Sequence, residues 1–272
     1  MHVRVHHDTI YDYDVPIALG PHVLRLSPRG GAALSSIAVV PAPVRQWVEI
    51  DALGNTLTQL VFQGETRQLR VDSHFELHTQ PPARPLPPNW YLPLGPALAT
   101  DGTRSGPPIA ASVYEFADSV ARAQGNRPLE FLDALAYELH ARIDGKARAG
   151  AGTQLAADTL ASARGACRDI ATLYLEACRA LGLTARFVSG YHAHPGQLSE
   201  QGDLHAWAEI ELAGAGFVGW DPTLGTRAGE GHIAVAAGAT QQATQPIEGS
   251  YTFQGSVLNS TLDFSLRIDT RR

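Results

Sequence analysis

Nine of the 18 prolines in this chain stand between residues 81 and 108: Pro81, Pro82, Pro85, Pro87, Pro88, Pro93, Pro96, Pro107 and Pro108. No side-chain pattern carries a helix or a central strand through such a run, because proline lacks the amide donor and its ring clashes with the preceding turn. The chain therefore divides here. Before the break, β-like runs at Val3 to Tyr11, Val44 to Ile50, Thr56 to Phe62 and Leu69 to Leu77 alternate with turn residues, which predicts a β-rich, sandwich-like module. After it, Val113, Phe116, Ala117 and Val120 recur at helical spacing, and a second helix follows Pro128 through Leu129, Leu132, Leu135, Leu139 and Ile143. A polar, glycine-rich passage from Asp144 to Thr153 comes next, then a short turn capped by Asp158 or Thr159 and stopping at Gly165. The expected boundaries are a β domain over 1–92, a linker over 93–108 and a second domain over 109–250. The closing run Val257 to Ile268 reads as a strand that returns to the first sheet and makes 251–272 part of it.

Within the second domain, Gly165-Ala166-Cys167-Arg168-Asp169 precedes Ile170, Leu173, Tyr174, Ala177 and Leu181, which recur with helical period up to Gly182, a residue suited to ending a helix. Cys167 thus opens a helix. The unpaired N–H groups and dipole there, together with Arg168, favour thiolate over thiol. Free cysteine is otherwise most often a small core residue, which is the simplest account of Cys178. The two cysteines stand 178 − 167 = 11 residues apart on one helix, about 16 Å of rise, and cannot bridge each other.

Downstream, Leu204, Ala206, Ala208, Ile210 and Leu212 alternate with His205, Trp207, Glu209 and Glu211, the pattern of a strand with two unlike faces. Gly216 to Trp220 reads as its hairpin partner, joined through Ala213-Gly214-Ala215. In an antiparallel pair the start of one strand lies beside the end of the next, which brings Asp221 near His205. Thiol, imidazole and carboxylate then follow in order at spacings of 205 − 167 = 38 and 221 − 205 = 16 residues, the logic of a nucleophile, its base and an orienting acid. Taken singly, a strand histidine is more often solvated and Asp-Pro is an ordinary turn signal.

These segments, with Ala185-Arg186-Phe187-Val188-Ser189-Gly190-Tyr191, His205-Ala206-Trp207-Ala208-Glu209, Asp221-Pro222-Thr223 and Gly231-His232-Ile233-Ala234-Val235-Ala236, resemble the transglutaminase-like superfamily, in its bacterial cysteine-protease-like branch. The resemblance runs in order across roughly residues 110 to 250. It implies an α+β fold with a papain-like core, a nucleophile helix packed on an antiparallel sheet, and the catalytic residues Cys167, His205 and Asp221. The segment before the prolines looks like the β-rich domain that accompanies this branch. One departure is plain: the family's glycine-arginine-aspartate stretch is replaced by Gly238-Ala239-Thr240-Gln241-Gln242, which removes any ionic contact made there.

Arg168, Asp169, Tyr191 and Trp207 are weaker candidates for the surroundings of the site. Asp169 is suited to the helix dipole, and Trp207 and Tyr191 could shape a pocket together with Trp90, although aromatic residues of this kind more often pack a core. His192 and His194, and likewise His74 and His78, lack the spacing of a metal ligand set, and no cofactor or metal is expected. A formal charge of −6 with dispersed acidic residues argues against nucleic acid, and no segment has the ~18 to 20 apolar residues of a membrane span. Met1-His2-Val3-Arg4-Val5-His6-His7 lacks a signal peptide's apolar region, so the expected location is the cytoplasm. The expected partner is a protein, peptide or amide substrate. Attack by Cys167 would form a thioester; water would then make the chain a hydrolase, the preferred outcome, and an amine would make it an acyl transferase. The alternative from another class is a non-catalytic binding or assembly module that keeps the three groups in an occluded pocket.

Overall fold

The computed structural model describes residues 1–80, 108–145, 152–194, 198–199 and 204–271. The linker expected over 93–108, except Pro108, and Trp90 lie outside them. Five strands come first: β1 (His2–Leu24), β2 (Leu34–Val40), β3 (Arg45–Ile50), β4 (Thr56–Val61) and β5 (Glu65–His78). Four helices follow: α1 (Ala111–Ala123), α2 (Pro128–Arg142), α3 (Ala156–Ser162) and α4 (Cys167–Ala180). Then come β6 (Ala185–His192), β7 (Leu198–Ser199), β8 (His205–Leu212), β9 (Gly216–Asp221), β10 (Thr226–Arg227) and β11 (His232–Gly238), and the chain closes with β12 (Ile247–Phe253) and β13 (Ser260–Arg271). No described helix is long and apolar enough to cross a membrane.

The fold is α+β. Among the described residues, one antiparallel sheet runs β2-β5-β1-β13-β7, with β12 and β4 also paired to β1 and β3 to β4; a second runs β10-β9-β8-β6-β11. β13 pairs with β1 from His2–Arg271 to Tyr13–Ser260, so the two ends of the chain share a sheet. The sequence pattern predicts a first strand only to Tyr11. It continues to Leu24 because pairing persists across irregularities between Asp12 and Ile17 and between Leu19 and His22, where the apolar alternation is interrupted. β2 escapes a reading by periodicity because most of its side chains are exposed and carry no buried face.

α4 is buried around most of its circumference, through Ile170, Ala171, Leu173, Tyr174, Leu175, Ala177 and Cys178, and so forms the central helix of its domain. α1, α2 and the inner face of β8 supply its surroundings through Val113, Leu132, Leu135, Ala206, Ala208 and Ile210. Its end is a Schellman turn: Gly182 has φ +86°, its N–H donates to Arg179, and Leu183 N–H donates to Cys178 O. α3 starts at Ala156 with Leu155 in the capping position, so Asp158 lies in the first turn and neither it nor Thr159 is the cap. Its end comes at Ser162, where Ala163 takes up the left-handed conformation before Gly165 is reached.

The two sheets are fastened along β11, the edge of the second. Val3, Val5, Phe75, Leu266 and Ile268 from the first sheet pack against Tyr191, Ile233 and Val235. Edge backbone groups of β11 then find partners in the first domain. Arg29 N–H donates to Ala234 O at 2.8 Å, while the Asn55 side chain donates to Ala237 O at 2.8 Å and accepts Ala237 N–H at 2.7 Å. Asn55 is 1% exposed, so removal of its amide leaves two buried backbone groups unsatisfied. At ~1–3 kcal/mol each, Asn55→Ala is expected to lower unfolding free energy by roughly 2–6 kcal/mol, whereas a change at an exposed position such as Gln46→Ala has little effect; urea unfolding of the two variants checks this.

Candidate active site

Antiparallel order decides which residues meet. In β9-β8-β6-β11 alternate ends come to the same side, so the last residue of β9 (Asp221), the first of β8 (His205), the last of β6 (His192) and the first of β11 (His232) collect at one end of the sheet. Cys167, first residue of α4 and half-buried, arrives at the same end, with Sγ 3.7 Å from the Leu204 carbonyl oxygen. The structure thus brings Cys167, His205 and Asp221 together.

The approach to Cys167 is fixed from both sides. Asp144 N–H donates to Ala163 O and Gly165 N–H donates to Asp144 O, a short parallel bridge that holds the turn before the helix. Asp169, fully buried, accepts Ala166 N–H at 2.9 Å through Oδ2 and Gln154 N–H at 2.7 Å through Oδ1. It therefore caps the helix whose first residue is the cysteine, a more specific task than complementing the dipole. Arg168 Nε donates to Gly152 O at 2.8 Å and ties down the neighbouring loop.

His205 Nε2 lies 2.5 Å from Asp221 Oδ2. Cys167 interacts with the same ring, and with Nε2 turned to Asp221 the nitrogen left to face the sulfur is Nδ1. Burial disfavours a charged imidazole, but the bonds and charges of Asp221 and Cys167 outweigh it and raise His205 from 6.5 to about 9. Burial likewise opposes the Asp221 charge; hydrogen bonds from His205 and His232 overcome it and hold the carboxyl well below the usual carboxylate range. Its Oδ1 accepts the N–H groups of Thr223 at 2.9 Å and Leu224 at 3.2 Å, so the fully buried carboxylate has both oxygens occupied.

Trp207, 2% exposed, covers the imidazoles with ring centroids 6.2 Å from His205 and 5.2 Å from His232. This requires Gly190 beneath it, since a Cβ there would fall 2.8 Å from the indole and 2.1 Å from Ile233 O. Tyr191 behaves differently from the expectation of a pocket residue. It is buried in the interdomain cluster, with its hydroxyl 2.9 Å from His7 Nδ1, whereas Cys167 packs against the helical core.

Two residues were passed over by sequence reasoning. His192, considered in the sequence only for metal-ligand spacing, ends β6 with its ring 5.6 Å from that of His205 and 4.6 Å from that of His232; burial first, and the neighbouring histidines next, lower it to about 4. His232, noted only within the Gly231-His232-Ile233 segment, places Nε2 2.9 Å from Asp221 Oδ2. Its signal was positional: it opens a strand at the same end of the sheet. His205 Nε2, Asp221 Oδ2 and His232 Nε2 lie within 4.8 Å of one another, a candidate ligand trio. Ligand atoms around a tetrahedral zinc with bonds of about 2.0–2.2 Å stand roughly 3.3 Å apart. Here both nitrogens sit at hydrogen-bond distance from one oxygen, which is the arrangement of two donors sharing an acceptor.

The profile of the transglutaminase-like superfamily matches residues 115–222, and that of the bacterial transglutaminase-like N-terminal region matches residues 3–78. The chain is 26% identical over 269 residues to an uncharacterized protein of Mycobacterium leprae, covering 93% of this chain and 94% of that protein. It is 28% identical over 295 aligned residues to an uncharacterized protein of Mycobacterium tuberculosis, covering 96% and 91% respectively. Among solved structures it shares the fold of one from Cytophaga hutchinsonii named "putative cysteine protease", with a TM-score of 0.63 at 16% identity over 99% of this chain and 98% of that one.

Asp169→Ala strips the acceptors from two backbone N–H groups in front of Cys167. A loss of about 2–4 kcal/mol in unfolding free energy is expected, together with slower alkylation of Cys167 at pH 7; Asp169→Asn, which keeps one acceptor oxygen, falls between. Chemical unfolding and peptide mass spectrometry read the two effects.

Proposed function

This chain belongs to the transglutaminase-like superfamily, behind a bacterial transglutaminase-like N-terminal region, and from that premise we propose that it is a cysteine-dependent amide or peptide hydrolase acting through Cys167, His205 and Asp221. The observation that carries this reading is the buried 2.5 Å contact between His205 and Asp221, with Cys167 as the partner on the other side of the same imidazole at the start of α4.

In the proposed reaction His205 Nδ1 holds the proton given up by Cys167, and Sγ attacks the amide carbonyl carbon to form a C–S bond. The tetrahedral oxyanion faces the Cys167 N–H at the first position of α4, where the helix dipole also favours negative charge. Collapse breaks the C–N bond. The imidazolium delivers its proton to the departing amine, leaving a thioester. Water next gives a proton to His205 Nδ1 as its oxygen bonds to the acyl carbon; the C–S bond then breaks, the acid departs, and thiolate and imidazolium are restored. A primary amine in place of water gives a new amide instead, and water is the acceptor favoured here. Asp221 does not take the proton at any step. It holds Nε2–H, so that Nδ1 faces sulfur, and it stabilises the imidazolium.

The pH dependence follows from His205. Its ionisation in the folded protein is raised from 6.5 to about 9, so the imidazolium persists through neutral pH; the stability this contributes is complete below about 6.5 and is lost as pH rises through about 9. Amide cleavage is accordingly expected to fall on the alkaline side with a midpoint near 9. Iodoacetamide labelling, read by peptide mass spectrometry, tests the pair directly. At pH 6, Cys167 should be alkylated roughly tenfold or more faster in the wild type than in His205→Ala. Cys178 serves as the inert control, because it is fully buried and burial pushes its thiol well above the ordinary range. Equal labelling of Cys167 in both proteins would sink the enzyme reading and leave the binding-module reading in its place.

A further inference from the structure

Resting on the amide-cleaving reading of this site, we propose that His232 is a positioning residue for the reaction: locked in a single tautomer, it donates a second hydrogen bond to Asp221 Oδ2 and so limits how tightly that carboxylate holds the proton of His205.

The lock is visible in the backbone. His232 N–H donates to Gly229 O at 3.0 Å, closing a turn around the imidazole, and Gly229 N–H donates to His232 Nδ1 at 3.0 Å. A ring nitrogen that accepts an N–H cannot carry its own proton, so the proton is on Nε2, the nitrogen 2.9 Å from Asp221 Oδ2. The side chain is 6% exposed, wedged between the Trp207 ring at 5.2 Å and the His192 ring at 4.6 Å. The position of the turn is set by Gly231, where a Cβ would lie 2.4 Å from Ala193 O. Every rotational freedom by which the ring could turn its donor away from Asp221 is therefore restrained.

Among the described residues, the titratable groups facing His205 are Cys167 on α4, His192 at the end of β6, Asp221 at the end of β9 and His232 at the start of β11; His194 packs edge-on against His192. Of these, His232 alone shares an acceptor atom with His205. Each donor to a carboxylate lowers its basicity toward the others. With His232 in place, Asp221 fixes the direction of His205 without binding the imidazolium so strongly that it resists giving its proton to the leaving amine. Acylation by an amide needs that proton transfer. Acylation by an ester with an acidic phenol leaving group does not, because the phenolate departs unaided.

That difference supplies the test. His232→Phe is expected to lower kcat/KM for a peptide anilide about tenfold or more while lowering it less than about threefold for the matching p-nitrophenyl ester. The alkaline limb of anilide cleavage should move upward, as the Asp221 charge falls on His205 alone. His232→Gln, whose side-chain amide can still donate to Oδ2, should return both quantities toward wild type. Equal losses on the two substrates, or an alkaline limb that stays in place or moves down, would overturn the proposal. A second measurement needs no variant. A long-range proton–nitrogen NMR spectrum of the wild type at pH 7 should show His232 with Nε2 protonated and Nδ1 unprotonated, and the opposite tautomer would overturn it as well. Undiminished cleavage in Cys167→Ala is the separate result that removes the amide-cleaving reading itself, so the two failures are told apart.

Discussion

A fully buried carboxylate is costly unless both oxygens are satisfied, and Asp221 satisfies its own by drawing four donors from three places in the chain. Thr223 and Leu224 supply backbone N–H groups from the turn that follows β9, His205 comes from the start of β8, and His232 from the start of β11. Two strands on either side of β6 are thus held at the same height by one side chain. The Cys167 thiol sits beside this assembly because α4 is aligned by its own buried acid, Asp169. Both acids act on backbone or imidazole N–H groups. The geometry of the candidate site is therefore a by-product of satisfying two carboxyl groups that the fold has buried.

The amino-terminal domain enters this logic through β11. A strand that opens with a residue bound to Asp221 must not slide, yet β11 is an edge strand of its sheet. Arg29 and Asn55 of the first domain occupy outward backbone groups of that edge, and the Val3, Val5 and Phe75 side chains cover its outer face. The return of β13 to pair with β1 adds Leu266 and Ile268 to the same contact. What looks in sequence like an accessory module is, in packing terms, the wall against which the far side of the site is built.

How much of this could be seen in the sequence follows from the range of the forces involved. α4, its glycine stop, the β8–β9 hairpin and the meeting of His205 with Asp221 are local: they depend on periodicity and on a connection of a few residues. The roles of Asp169, His232 and Asn55 depend on partners brought near by tertiary structure. Asp169 bonds to Gln154, 15 residues away, and Asn55 bonds to Ala237, 182 residues away. Periodicity carries no trace of such pairings. Tyr191 packs a core, as aromatic residues of this kind more often do: its place on β6 was legible, but which domain its ring would meet was not. The β1 extension was hidden by bulges, which keep the hydrogen bonds while breaking the alternation on which a reading depends.

The histidine cluster shows how proximity allots charge. In water the His192 and His205 rings would titrate alike, but side by side in a partly dry site a proton taken by one disfavours a proton on the other. Asp221 resolves the competition for His205, which touches both the carboxylate and the thiol and is raised to about 9. His192 touches neither at hydrogen-bond range. Burial and its neighbours push it down to about 4, so across neutral pH it remains an uncharged ring against the imidazolium. A second imidazolium at that position would disfavour the proton on His205. Burying His192 beside His205 keeps that second charge away without any further group.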